Sequence, residues 1–271
     1  MKVRLFEASA DCLALADPQL KCSAVSALAG AVERGEFESD TAFPVERITA
    51  PGRPPRPELV DPSRVPRRRL GSDEGRAALV HAIAHIEFNA INLALDAVYR
   101  FREMPRQYYL DWISVAQDEA RHFLMLRARL EQLGRRYGDF PAHNGLWEMA
   151  EKTADSCLVR MALVPRVLEA RGLDVTPGMI QRLRSAGDQD TIAVLEVILQ
   201  EEVRHVAIGT HWFNFCCEAE SKNPLETFLE ILQSRFTGPI RGPFNLEARA
   251  RAGFTSDEMK ALIAGIGRNH D

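Results

Sequence analysis

A chain of 271 residues with 46% hydrophobic and 27% charged side chains has the composition of an ordinary globular protein, long enough to bury one large core or two small ones. A net charge of −4 gives no global reason to expect nucleic-acid or membrane binding. The first residues lack the apolar run of a signal peptide and no stretch reads as a bilayer span, so a cytoplasmic protein away from membranes is expected.

Residues 1–35 read as helical, with Asp17-Pro18 as a helix start, because Asp caps free N–H groups and Pro suits the first turn. Residues 43–72 are rich in Pro and Arg. Repeated Pro excludes regular helix and predicts an extended linker, or an arm that wraps the helices. Within it, Arg67-Arg68-Arg69 reads as solvated charge or partners for surface carboxylates, with a polyanion contact as the alternative. From residue 73 helical periodicity takes over. Ser72 caps a helix over 73–102, which Pro105 closes. A second helix spans 108–133 and stops at Gly134. A third spans 146–171 and stops at Gly172. A short helix opens at Asp174-Val175-Thr176-Pro177, and a fourth long one spans 189–218. Pro224 begins another short helix, residues 238–243 form a loop, and Thr255-Ser256-Asp257-Glu258 caps the last helix. No strand pattern is visible. The predicted organisation is all-α. N-terminal helices and the Pro/Arg-rich arm occupy 1–72, a four-helix bundle 73–220, and a C-terminal helical extension 221–271.

The chemistry lies in a pattern that occurs twice. Glu87 is followed 32 positions later by Glu119, which opens Glu119-Ala120-Arg121-His122. Glu169 is followed 33 positions later by Glu202, which opens Glu202-Val203-Arg204-His205. One Glu from each of two helices, with Glu-x-x-His from each of two others, is the ligand set of a dinuclear metal site in a four-helix bundle. Helical phase supports it. Glu87 shares its face with Ile83, Ala84, Ala90, Ile91 and Ala94, and Glu119 shares its face with Trp112, Val115, Phe123 and Leu126. Ionised carboxylates on apolar faces are expensive unless paired or bound to metal. Two divalent cations neutralise four of them, and carboxylate with imidazole suits iron, or manganese in its place. The competing reading is a bundle with a salt-bridged core.

His81 and His85 also have metal-ligand spacing, but they lie with Asn89, Asn92 and Asp96 away from the face of Glu87, which predicts a hydrogen-bonded polar seam. The five cysteines, Cys12, Cys22, Cys157, Cys216 and Cys217, form no Cys-x-x-Cys pair and read as buried thiols in a reducing compartment.

At the two Glu-x-x-His motifs the chain resembles the ferritin-like di-iron carboxylate superfamily, which implies a ferritin-like bundle. The fuller forms Asp118-Glu119-Ala120-Arg121-His122 and Glu201-Glu202-Val203-Arg204-His205 look like the Asp-Glu-x-Arg-His signature of its oxygen-activating members. The resemblance implies that Asp118, Arg121, Glu201 and Arg204 support the metal ligands through hydrogen bonds and charge pairs, with both arginines buried. The second motif departs in having Glu201 where the signature has Asp. More narrowly, the chain resembles a bacterial family of ferritin-like proteins known as a domain of unknown function. Stretches such as HAIAHIEFNAINLALDA and EEVRHVAIGTHWF carry that likeness. A more distant likeness is to the tRNA hydroxylase of hypermodified adenosine, which makes tRNA an alternative partner.

These features lead to the expectation of an oxygen-dependent di-metal oxidoreductase, a hydroxylase or oxidase, acting on a small molecule. Its electrons come from a separate donor, since no Gly-x-Gly-x-x-Gly fingerprint is present. A ferroxidase or iron-handling protein is the alternative, and a homodimer is compatible with either. For the hydroxylase, Trp112, Phe123, Met161 and Phe213 are expected to line an apolar cavity beside the metals.

Overall fold

Helix starts fall where a short polar side chain can reach back to a free backbone N–H. The computed structural model describes residues 2–39, 44–65 and 69–266, so Arg67 and Arg68 of the basic run lie outside the described residues. Asp17 accepts from the Leu20 N–H at 2.9 Å and starts α2 (Pro18–Glu33), after α1 (Leu5–Ala14). Ser72 accepts from the Gly75 N–H at 3.1 Å and starts α3 (Asp73–Arg100). The chain turns at Pro105 into α4 (Arg106–Gln132), and Gly134, at φ 71°, ends it in the left-handed region that glycine enters freely. A short helix, α5 (Gly145–Lys152), follows. Two-residue strands β1 (Val3–Arg4) and β2 (Phe37–Glu38) pair in parallel, a detail too short for any sequence pattern to announce. The described residues are otherwise almost wholly helix and loop, as an all-α fold requires.

The backbone divides into two compact units, Met1–Lys152 and Thr153–Asp271. In the first, α3 packs along α4, and α1 and α2 cover the pair. The Pro-rich segment is an arm pinned to this unit. Gly52 donates its N–H to Leu13 O at 2.8 Å, Trp147 donates Nε1–H to Thr49 O at 3.0 Å, and Val60 donates to Ala142 O at 2.8 Å. By length and composition α3 could cross a membrane, contrary to the sequence expectation that no segment qualifies. However, 72% of its apolar window is buried within the protein. Its Ala, Ile and Leu positions give a core helix the same composition as a span. The polar seam on α3 is present: His85 bonds Tyr137 Oη at 2.8 Å, Asn89 donates to His85 O at 2.8 Å, and Asp96 holds Arg100 in two bonds to Nε and one to Nη2.

In the second unit the structure departs from the single helix expected over 146–171. The chain breaks after α5, and Ser156 caps a new helix, α6 (Cys157–Leu163), accepting from the Val159 N–H at 3.2 Å. A π-helical turn (Val164–Glu169) follows, and α7 (Ala170–Ser185) continues through Gly172 and Pro177. Pro165 has no N–H to donate, so the regular ladder loosens where it enters. Burial of Leu173, Ile180 and Leu183 outweighs the weak helix preference of Gly172. The long α8 (Gln189–Ala219) packs against α6, the π turn and α7. Then come α9 (Pro224–Arg235), the unanticipated α10 (Leu246–Arg251) and α11 (Ser256–Ile266). The start of α11 is a capping box: Thr255 N–H donates to Glu258 Oε2 at 2.7 Å, and Glu258 N–H donates to Thr255 Oγ1 at 3.1 Å. All five cysteines are free thiols, and Cys157 alone among them is not fully buried.

Candidate metal centre

Within the first unit α3 and α4 bring Glu87, Glu119 and His122 together. Their ligand atoms lie within 4.8 Å of one another, and all three side chains are buried. His122 Nδ1 is 3.1 Å from Glu87 Oε2 and 3.5 Å from Glu119 Oε2. Burial would push the His122 imidazole down, but bonding to Glu119 and Glu87, and their charge, outweighs it and raises the group to about 11. Two carboxylates at this depth favour a cation beside them. The donor set also fits a metal ion. Two carboxylates and an imidazole, without thiolate, are ligands for iron or manganese, and this buried cluster could hold one.

Within the second unit Glu202 and His205 are buried one turn apart on α8, with His205 Nδ1 3.6 Å from Glu202 Oε1. Glu169 is half-buried and is the last residue of the π turn against which α8 packs. The approach is close at Gly209: a Cβ there would stand 2.2 Å from Pro165 Cβ. Glycine is required for α8 to lie this near the π turn. Trp112, Phe123, Met161 and Phe213 are all core residues. Phe123 meets Phe88 at a tilt and Tyr137 edge to face, and Phe213 lies under the Arg166 guanidinium, 4.5 Å from ring centre to Cζ.

The residues expected to support the ligands are placed differently. Arg121 does pair with Asp118, at 3.0 Å, but its side chain is 44% exposed and the pair lies toward solvent. Arg204 is exposed as well. The expectation of two buried arginines is therefore corrected, and helical phase explains why. Each Arg follows its ligand Glu by two residues, about 200° around the helix, which turns it outward when the Glu points in. Asp118 and Glu201 are half-buried.

Several buried charged groups carry no motif in the sequence, among them Lys21, Arg160, Arg249 and Arg166; the last, in the stretch Val164-Pro165-Arg166-Val167-Leu168, is 1% exposed. A lone Arg inside an apolar run is the signal that marks it.

The chain matches the family described as "Protein of unknown function (DUF455)" over residues 14–260 and belongs to that family. It is also 44% identical over 213 residues to an uncharacterised protein of Haemophilus influenzae, covering 76% of this chain and 74% of that protein. No solved structure matches the chain.

Proposed function

We propose that the two half-sites, Glu87, Glu119 and His122 with Glu169, Glu202 and His205, together hold two metal ions, iron or manganese, in a ferritin-like four-helix bundle. The protein on this reading is an oxygen-dependent oxidoreductase, a hydroxylase or oxidase, for a small organic substrate, supplied with electrons by a separate donor. The observation that carries the reading is the convergence of Glu87, Glu119 and His122 in a buried cluster, together with a second buried Glu-x-x-His pair on α8. Bound metal would supply dioxygen binding and redox chemistry. The chain would supply carboxylates held on rigid helices, imidazoles aimed by the one-turn spacing, and apolar surroundings that keep water away.

The test is metal content. Protein reconstituted anaerobically should carry about two equivalents of iron or manganese, as six ligands in two matched halves imply. Glu119→Ala and Glu202→Ala should each lose metal while remaining folded, since removing a carboxylate with its metal leaves less uncompensated charge. Well under one equivalent in the unsubstituted protein would sink the proposal. Two equivalents with rapid iron oxidation and cage assembly on sizing would move it to iron handling.

A further inference from the structure

The second unit contains a cavity of about 160 Å³ between the π turn, α9, the loop before α10, and α11. Its apolar wall includes Phe228, Phe236, Ile240 and Phe244. Its polar wall is built of arginine. Arg166, Arg171, Arg241 and Arg249 line it, against the single carboxylate of Asp174. That carboxylate is already engaged: Arg249 donates Nε–H and Nη2–H to its two oxygens at 2.9 and 2.8 Å, and Asn245 N–H donates to Oδ1 at 3.0 Å. Even counting Glu258, which accepts from Arg166 Nη2, the cavity keeps a surplus of two positive charges.

Arg166 makes this more than a charged surface. Its guanidinium is sandwiched among Phe213, Phe228 and Phe254, with Cζ 4.2–4.6 Å from the three ring centres. Glu258 takes one nitrogen, while Nε and Nη1 are buried with no hydrogen-bond partner among the described residues. Buried donors without acceptors are destabilising, most of all on a charged group. An acceptor brought by a ligand would remove that penalty. Arg171 adds a second cation at the rim, where its Nη1 donates to Arg241 O at 2.6 Å and holds the loop against α7.

We propose that this cavity binds a small organic anion, a carboxylate on an apolar or aromatic body. The carboxylate accepts from the unpartnered donors of Arg166, and the body lies among Phe228, Phe236, Ile240 and Phe244. The volume is comparable with engineered cavities that take up benzene, which sets the ligand near the size of benzoate. Arginine favours carboxylate over a neutral oxygen because charge-assisted bonds are the stronger ones. The inference does not rest on the metal reading.

The experiment is calorimetric titration of the full chain with three probes: benzoate, neutral benzyl alcohol and inorganic phosphate. Benzoate should bind one to one, at least tenfold tighter than either of the others. Arg166→Met removes the donors, and Ile240→Trp fills the cavity from its half-exposed wall while leaving every charge in place. Each should weaken benzoate at least tenfold, with helical content unchanged by circular dichroism. If Arg166→Met does not fold, Ile240→Trp decides alone. Failure of benzoate to bind, binding of benzyl alcohol or phosphate within threefold of it, or unaltered affinity in Ile240→Trp would each overturn the proposal.

Discussion

Gly209 and Gly172 respond to one added methyl with opposite signs. Helix propensity alone favours Ala at both by about 1 kcal/mol. At Gly172 the new Cβ meets nothing within 4 Å, so Gly172→Ala should raise the melting temperature. At Gly209 it would stand 2.2 and 2.3 Å from Cβ and Cγ of Pro165, a ring that cannot swing aside. Overpacking of this kind costs about 1–3 kcal/mol, so Gly209→Ala should lower the melting temperature despite the better propensity, and equal shifts for both variants would count against the close approach. His81 carries a pH prediction. Its Nε2 accepts from the Gly138 N–H at 2.9 Å, and burial pushes the ring down to about 4. The unfolded chain therefore takes up this proton near pH 6.5 while the folded one resists it. The stability from neutral His81 is complete above 6.5 and is lost as pH falls toward 4, up to about 3 kcal/mol. A His81 proton-resonance titration centred near 6.5 would refute it. At this scale much was legible: the inward phase of Glu87, Glu119, Glu202 and both motif histidines followed from residue spacing. The outward turn of Arg121 and Arg204 was equally available from phase.

Among the elements, α2 is tied to its neighbours by one buried cation. Lys21 Nζ donates to Leu13 O and Gly52 O, each at 2.9 Å, and to Asn92 Oδ1. Burial pushes the amine down to about 7, yet three acceptors match the three hydrogens of an ammonium group. The single residue thus fastens α1, the Pro-rich arm and α3 to α2. Lys21→Met strands three acceptors and should cost about 3 kcal/mol or more in urea denaturation. Adding Asn92→Leu removes one stranded acceptor, so the double variant should lose less than the two singles summed. Strict additivity would show that the contact carries no energy. Helix starts at Pro18, Asp73, Gln189, Pro224 and Ser256 were legible because capping is local. The break before Cys157, the π turn and the run of α7 through Gly172 were not, because packing against α8 decides them and sequence periodicity does not encode that partner.

For the whole molecule, the all-α class and the twofold repetition of the motif were open to inspection of the sequence. The division at Lys152 and Thr153 was not, since it depends on contacts between residues far apart in the chain. Nor was the arginine-lined cavity, whose walls come from five stretches spread over residues 166–262. One carboxylate in that region does two jobs. Glu258 closes the capping box that begins α11 and is also the counter-ion of Arg166. The tail is therefore not a dispensable appendage. A chain ended after Thr255 would lose a terminal helix and, with it, the only acidic partner that the described residues give to an arginine deep in the second unit. Uncompensated charge at such depth costs about 3–5 kcal/mol. Truncation at that point should leave protein that melts early or goes into inclusion bodies. Ending the chain after Ile266 instead keeps all of α11, with Glu258 and the buried Met259 and Leu262, and should leave the melting temperature of the full chain unchanged.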